Sequence, residues 1–360
     1  MKLIAYYLPQ FHPIPENNHW WGEGFTEWTN VKEAKPLFPG HEQPVAPGEL
    51  GYYNLLDPDI RNKQAELAKE YGVHGFCYWH YWFGNGRTLL EKPFQEVLKT
   101  GEPDLPFCLG WANESWTGIW HGSPDKILMK QIYPGEKDIR NHFDYLLPAF
   151  KDSRYILIEN RPFFLVYKPL LNPHLKLFTS LFSDLAIKHG FDGIHFVATN
   201  VPETWNLDKY GFQALAPSYH NGIVWKRRKS FFKKIKGLLS GVKKTTLNYP
   251  KHVYRYNDAR NFFLPVNFKK DKVYPTVVPN WDNSPRSGKR AVILTNSTPE
   301  LYGDHLRDAL LMALTNSKNH QILMVKSWNE WAEGNYLEPD KKWKRAYLEK
   351  TREMLSTYKG

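Results

Sequence analysis

Apolar residues along this chain gather into short, nearly unbroken runs, separated by stretches in which they recur every three or four positions. The runs are Lys2–Leu8, Gly75–Trp82, Phe107–Trp111, Phe163–Tyr167, Gly193–Ala198, Ala214–Pro217, Tyr274–Val278 and Ile322–Ser327. Each is apolar, β-branched or aromatic, and reads as a strand. Between them, Asp59–Tyr71, Arg140–Phe150, Leu175–His189 and Pro299–Thr315 carry the spacing of amphipathic helices. Continuous apolar strands alternating with helices predict a parallel sheet covered on both faces. Eight such units within 360 residues favour an α/β fold of the closed (β/α)8 barrel (TIM barrel) type, in one domain spanning 1–360. A doubly wound sheet fits less well, because no Gly-rich phosphate loop follows the first strand.

Chemistry-bearing residues collect just after the strands. The first runs into Pro9-Gln10-Phe11-His12, the second ends Tyr78-Trp79-His80-Tyr81-Trp82, and the third ends Trp111-Ala112-Asn113-Glu114-Ser115-Trp116. The seventh ends Asn280-Trp281-Asp282 and the eighth Trp328-Asn329-Glu330-Trp331. Barrel enzymes carry their sites on this C-terminal face. Composition agrees: 14 Trp and 21 Tyr are many, and both stack on sugar rings while keeping a polar edge for hydroxyls. A Trp-rich core would give the same count, so it is the placement that points to carbohydrate.

Glu330 and Glu333 lie three residues apart, which on a helical turn puts both carboxyls on one face. Their Cβ separation there, about 5–6 Å, is compatible with a retaining glycosidase and tighter than an inverting enzyme needs. Two carboxyls so close, walled by Trp328, Trp331 and Tyr336, should not ionise alike. The one with less solvent is expected to keep its proton and serve as general acid. A solvated pair at a helix N-terminus would have the same spacing, but not the Trp neighbours or the strand-end position. Glu114, beside Asn113, is the main rival and is assigned a supporting or substrate-binding role; Asp282 is a weaker candidate of the same kind. His12, His80 and His121 lie near loops without forming a metal or nucleophile constellation. Glu23 and Glu27 read as loop residues of an aromatic rim that includes Trp28. The candidate substrate-binding set is therefore Tyr7, His12, Trp28, Tyr78, His80, Trp82, Trp111, Asn113, Glu114, Trp116, Trp281, Asp282, Trp328, Asn329 and Trp331, with no metal and no cofactor.

These segments resemble the WbsX-like group of polysaccharide-locus proteins. The resemblance rests on Ala5–Pro13, Gly22–Trp28, Tyr78–Phe83, Trp111–Trp116 and above all Ser327-Trp328-Asn329-Glu330-Trp331-Ala332-Glu333-Gly334. That group is similar to glycoside hydrolase family 99, the endo-α-mannosidases and endo-α-mannanases. The resemblance implies a (β/α)8 barrel, no metal, and cleavage with retention through a 1,2-anhydro sugar. On that route Glu330 takes the proton of the sugar's 2-hydroxyl, and Glu333 protonates the leaving oxygen and later activates water. WbsX-like proteins are also labelled glycosyltransferases, although here no Asp-x-Asp pair stands beside a Rossmann-like turn. Three readings follow: a retaining endo-hydrolase or transglycosylase on a polysaccharide or oligosaccharide, a glycosyltransferase of surface-polysaccharide assembly, and a non-catalytic glycan-binding barrel.

The net charge of +11 is local. Nine basic residues and no acidic ones lie between Lys226 and Lys244, so the remainder is nearly balanced. Within an insertion at 224–272, Phe231, Phe232, Ile235, Leu238, Leu239 and Val242 recur at helical spacing among these lysines. The pattern predicts a basic amphipathic helix able to lie on an anionic membrane surface or to pack on the barrel. Nucleic acid is not an expected partner, because no binding motif accompanies the charge. Cys77 and Cys108 sit in apolar runs and read as buried, reduced side chains. Without a signal-peptide pattern or a spanning run, the expected location is cytoplasmic, peripheral at the inner membrane if the basic helix engages lipid.

Overall fold

A computed structural model describes residues 1–118, 123–202, 204–217, 249–265 and 270–358. His121 and the basic stretch 226–244 lie outside the described residues. All eight predicted strands are present, as β1 (Lys2–Tyr7), β2 (Gly75–His80), β3 (Phe107–Trp111), β4 (Arg161–Val166), β5 (His195–Ala198), β6 (Ala214–Leu215), β7 (Thr276–Val277) and β8 (Ile322–Val325). They pair in parallel in the order β7-β8-β1-β2-β3-β4-β5-β6. The two ends of this curled sheet meet where the Leu215 N–H donates to the Lys272 carbonyl and the Tyr274 N–H to that of Leu215, both at 2.8 Å. β6 and β7 are shorter than predicted, because Pro217 and Pro275 have no N–H to give a ladder.

The main helices are α1 (Pro58–Glu70), α2 (Lys92–Thr100), α3 (Glu136–Phe150), α4 (Leu175–Lys188), α5 (Pro299–Leu314) and α6 (Ala346–Thr357). Their starts follow local chemistry. Asp57 caps α1 by accepting from the Asp59 N–H, Thr298 caps α5 by accepting from the Leu301 N–H, and a proline follows each cap. Among the described residues no helix is long and apolar enough to cross a membrane.

Alternation along the strands decides which side chains the barrel encloses. In β2, Tyr78 packs on Phe94 of α2 and His80 bonds to His142 of α3, while Trp79 points the other way. Trp79 lies flat on Tyr6 of β1, ring centroids 5.0 Å apart and 3° from parallel. Gly110 in β3 makes room for it, since a Cβ there would stand 3.2 Å from the indole. Cys77 and Cys108, cross-strand partners in β2 and β3, are buried and unbridged.

Part of the predicted insertion packs against the barrel. His252–Arg255 pairs in parallel with Val292–Thr295, and Tyr256, Ala259 and Phe263 form a second small core with Val278, Trp281 and Leu294.

Candidate active site

The carboxylate motif sits on a tight turn after β8. Asn329–Glu330 pairs antiparallel with Asn335–Tyr336, and Trp331–Glu333 forms one 3-10 turn between them. Glu330, at the entry of this turn, and Glu333, its last residue, both reach the same cleft. Gly334 closes the turn at φ 63°, where a Cβ would come within 2.8 Å of the Asp282 nitrogen. The Asp282 N–H in turn donates to the Glu333 carbonyl at 2.7 Å.

Both carboxyls line an open cleft of roughly 310 Å³ at the C-terminal end of the strands. Its aromatic walls are Trp21, Trp79, Tyr81, Trp116 and Tyr167, and its polar groups include Gln10, Glu114, Arg286 and Lys326. Trp116 belongs to a hairpin, Trp116–Gly118 against Ser123–Met129, whose Thr117 and Leu128 also line the cleft. Gln10 is buried, and its Nε2 has no hydrogen-bond partner among the described residues.

The two carboxyls have different surroundings. Glu330 Oε1 accepts from Trp79 Nε1 at 2.8 Å. Glu333 Oε1 accepts from Arg286 Nη1 at 2.7 Å, and its Oε2 from Asn335 Nδ2 at 3.3 Å. Arg286 is shared with Glu27, whose Oε1 accepts from Arg286 Nε at 3.0 Å. Lys326 Nζ stands 3.8 Å from Glu330 Oε2 and 3.9 Å from Glu333 Oε2. Burial alone would raise Glu330. The Lys326 charge, the hydrogen bond with Glu333, the Arg286 charge and the Trp79 N–H together outweigh it and hold this carboxyl below the usual range. Burial and then the Glu330 charge push Glu333 well above that range, so the pair shares one proton near neutral pH. The expectation that the drier carboxyl keeps the proton is corrected. Glu330 is the drier, with 5% of its side chain exposed against 18% for Glu333, yet its proton affinity is the one lowered; the Trp79 N–H donates to Glu330 and not to Glu333.

Of the fifteen predicted substrate-binding residues, Glu114 and Trp116 line this cleft. Glu114 is ion-paired with Lys168. The other thirteen do not reach it. Tyr7 donates to Gln64 of α1, Trp82 to Asp138 of α3, and Trp111 to the Trp82 carbonyl; with Tyr78 and His80 they point outward to the helix layer. His12 is buried against the Pro9 carbonyl, and Trp28 donates to that of Tyr53. Asn113 clamps Lys168 through its backbone, and Asn329 clamps Leu8 in the same way. Trp328 and Trp331 are core residues, Trp331 donating to Glu338 at 2.6 Å. Trp281 lies in the second small core, with Lys326 Nζ 5.3 Å from its ring centroid. Asp282 lines a different cavity of roughly 440 Å³, where it accepts from His41 and Gln43.

Glu27 is also corrected: it starts the short helix Glu27–Glu33, is wholly buried, and pairs with Arg286. The sequence reading passed over Trp79, Tyr81, Tyr167, Gln10, Arg286 and Lys326. Strand parity would have given Trp79 and Tyr81 once Tyr78 and His80 were recognised as helix-facing. Arg286 and Glu27 are 259 residues apart, and no local signal joins them. Among the described residues no group of three or more His, Cys, Asp or Glu side chains is placed to hold a metal ion.

The family described as glycosyltransferase WbsX matches residues 3–351. Two proteins of Xanthomonas campestris pv. campestris, from strain B100 and a second strain, are each described as uncharacterized protein WxcX and are 34% identical over 355 residues. The matches take in 98% of this chain and 49% of theirs, so the chain spans about half the length of the curated relatives it matches. Two structures of the GH99 endo-alpha-mannosidase from Bacteroides thetaiotaomicron align with TM-scores of 0.58 and 0.56, at 13% and 16% identity, covering 99% of this chain and 97% of theirs. A structure titled glycoside hydrolase-like protein aligns at a TM-score of 0.56 and 12% identity, covering 98% of this chain and 93% of that one. At these identities the likeness establishes a common fold, the (β/α)8 barrel.

Proposed function

Since the chain belongs to the family described as glycosyltransferase WbsX, we propose that it is a carbohydrate-active enzyme that cleaves glycosidic bonds within an oligosaccharide or polysaccharide with retention, as a hydrolase or transglycosylase. One observation carries the reading: two carboxyls three residues apart line one aromatic cleft, Glu330 held by the Trp79 N–H and Glu333 by Arg286, surroundings that push their proton affinities apart. Glu330, charged, is the base; Glu333, protonated, is the acid. As Glu330 removes the proton of the sugar's 2-hydroxyl, that oxygen bonds to the anomeric carbon. The glycosidic bond breaks, and Glu333 protonates the departing oxygen. In the second half Glu333 takes a proton from the incoming water or sugar hydroxyl. The acceptor oxygen bonds to the anomeric carbon, the anhydro ring opens, and Glu330 returns its proton to the 2-oxygen. Two inversions give net retention.

Trp79, Tyr81, Tyr167 and Trp116 offer ring faces to pyranoses, Gln10 a donor to a hydroxyl, and Glu114 an acceptor. Burial raises the Tyr81 and Tyr167 phenols far above neutral pH, so they remain donors. The test is a digestion screen over polysaccharides and oligosaccharides with anomer-resolved NMR of the first product. Retained configuration supports the reading, and inversion overturns it.

A second reading has one specific support, the family's own description, and makes the protein a transferase in polysaccharide assembly. Saturable binding of a nucleotide sugar in calorimetry would favour it; a glycan product released without any such donor would exclude it.

A further inference from the structure

Lys326 follows β8, its side chain is 8% exposed, and its ammonium faces the Glu330–Glu333 pair from within the cleft. Its distances to the two carboxyls, 3.8 and 3.9 Å, are nearly equal. Trp79 donates to Glu330 alone, and Arg286 donates to Glu333 while also holding Glu27. We propose that Lys326 is a positioning residue that serves the two carboxyls as one shared counter-ion, equally close to the negative charge whichever of them carries it. The inference rests on the acid and base roles proposed above.

The arrangement suits the chemistry of that route. At the start one negative charge lies on Glu330 and one proton on Glu333. When the 2-hydroxyl has given its proton to Glu330 and the leaving oxygen has taken the proton of Glu333, the charge lies on Glu333. The pair carries one charge before and one after, but the charge has crossed from one carboxyl to the other. A cation held to one carboxyl would favour one end of this transfer. A cation equidistant from both follows the charge without moving. The hydrogen bonds differ between the two ends, the Trp79 N–H serving the charge on Glu330 before the step and the Arg286 N–H serving it on Glu333 afterwards. The Trp281 ring, 5.3 Å from Nζ, holds the ammonium in place.

Other titratable groups facing the pair are Tyr6 on β1, Tyr81 after β2 and Tyr167 after β4, together with Arg286 and Glu27. Burial keeps the three phenols protonated, so across the neutral range they do not compete for the role.

The experiment is a carboxyl-carbon NMR titration of the full chain labelled at glutamate Cδ, in wild type, Lys326→Met and Lys326→Arg. It needs no substrate, so it can be read even if the glycosidase reading fails, and that reading stands or falls separately on turnover. A shared counter-ion shifts both titration steps of the pair. In Lys326→Met the lower and the upper step should each rise by about 1–3 pH units, the effect of losing an opposite charge at this range, while Lys326→Arg should keep both near their wild-type values. If Lys326→Met fails to fold, Lys326→Gln is the second uncharged variant. A rise in one step only, no rise in either, or equal rises in the methionine and arginine variants would overturn the proposal.

Discussion

Glu333 binds its proton more tightly in the folded chain than it would unfolded, because burial and the Glu330 charge oppose its ionisation. The tighter binding favours the folded state below the ordinary carboxylate range, and the advantage is lost as pH climbs through about 8. Glu333→Gln, uncharged at every pH, should escape that loss. The difference in thermal midpoint, variant minus wild type, should therefore grow between pH 5 and pH 9, and a constant difference would show that the fold does not hold this proton. The same shift fixes the pH dependence of turnover. Activity should survive well into acid, where Glu330 remains charged, and fall on the alkaline side as Glu333 deprotonates, far above an ordinary carboxylate. An alkaline limb near pH 4–5 in the kcat/KM profile would contradict the assignment. The spacing of Glu330 and Glu333 was legible in the sequence. Which of them holds the proton was not, because Trp79, 251 residues away in the chain, reaches Glu330 only through the fold.

At the scale of the element, the turn 328–338 is anchored by a third buried carboxyl. Glu338 accepts from Tyr53 at 2.8 Å and from Gln64 and Trp331 at 2.6 Å each, and burial lifts its proton affinity to about 7. Glu338→Ala would leave those donors unpaired in the core. It should destabilise the chain by about 3 kcal/mol or more, read by urea unfolding, with activity lost in proportion to unfolding. A change under about 0.5 kcal/mol would mean the anchor is dispensable. Strands were the legible elements, since eight apolar runs announce eight strands whatever their register. Side-chain direction was not. A strand buried on both faces has no polar alternation to mark its inner side, so Tyr78, His80 and Trp82 were taken where Trp79 and Tyr81 face the cleft. The single glycine between Leu109 and Trp111 held the missing clue, because Gly110 leaves the space that Trp79 fills.

Across the molecule, barrel closure depends on the short β6 and the residues before β7. Leu215 both donates to Lys272 and accepts from Tyr274, so Leu215→Pro removes a donor where the sheet has its fewest bonds. The substitution should cost about 3 kcal/mol, seen as a lower urea midpoint, whereas a neutral effect would mean that the seam carries little of the stability. Closure also fixes the cleft. Trp79 from β2, Tyr167 after β4, Arg286 after β7 and Lys326 after β8 converge on one floor only when the ends of the sheet meet. A repeating strand-helix series makes such a barrel readable from sequence. It does not tell which long-range partners, such as Glu27 and Arg286, will meet inside it.

The central claim is that Glu330 and Glu333 perform the chemistry. Its most direct test is turnover by Glu330→Gln and Glu333→Gln on a glycan that the wild-type chain cleaves, with binding of the same glycan measured alongside. The account predicts that each variant loses at least about 10³-fold in kcat, within the range ascribed to one acid or base, while its affinity for the glycan stays within a few-fold of wild type. Near-wild-type turnover by either variant would contradict it.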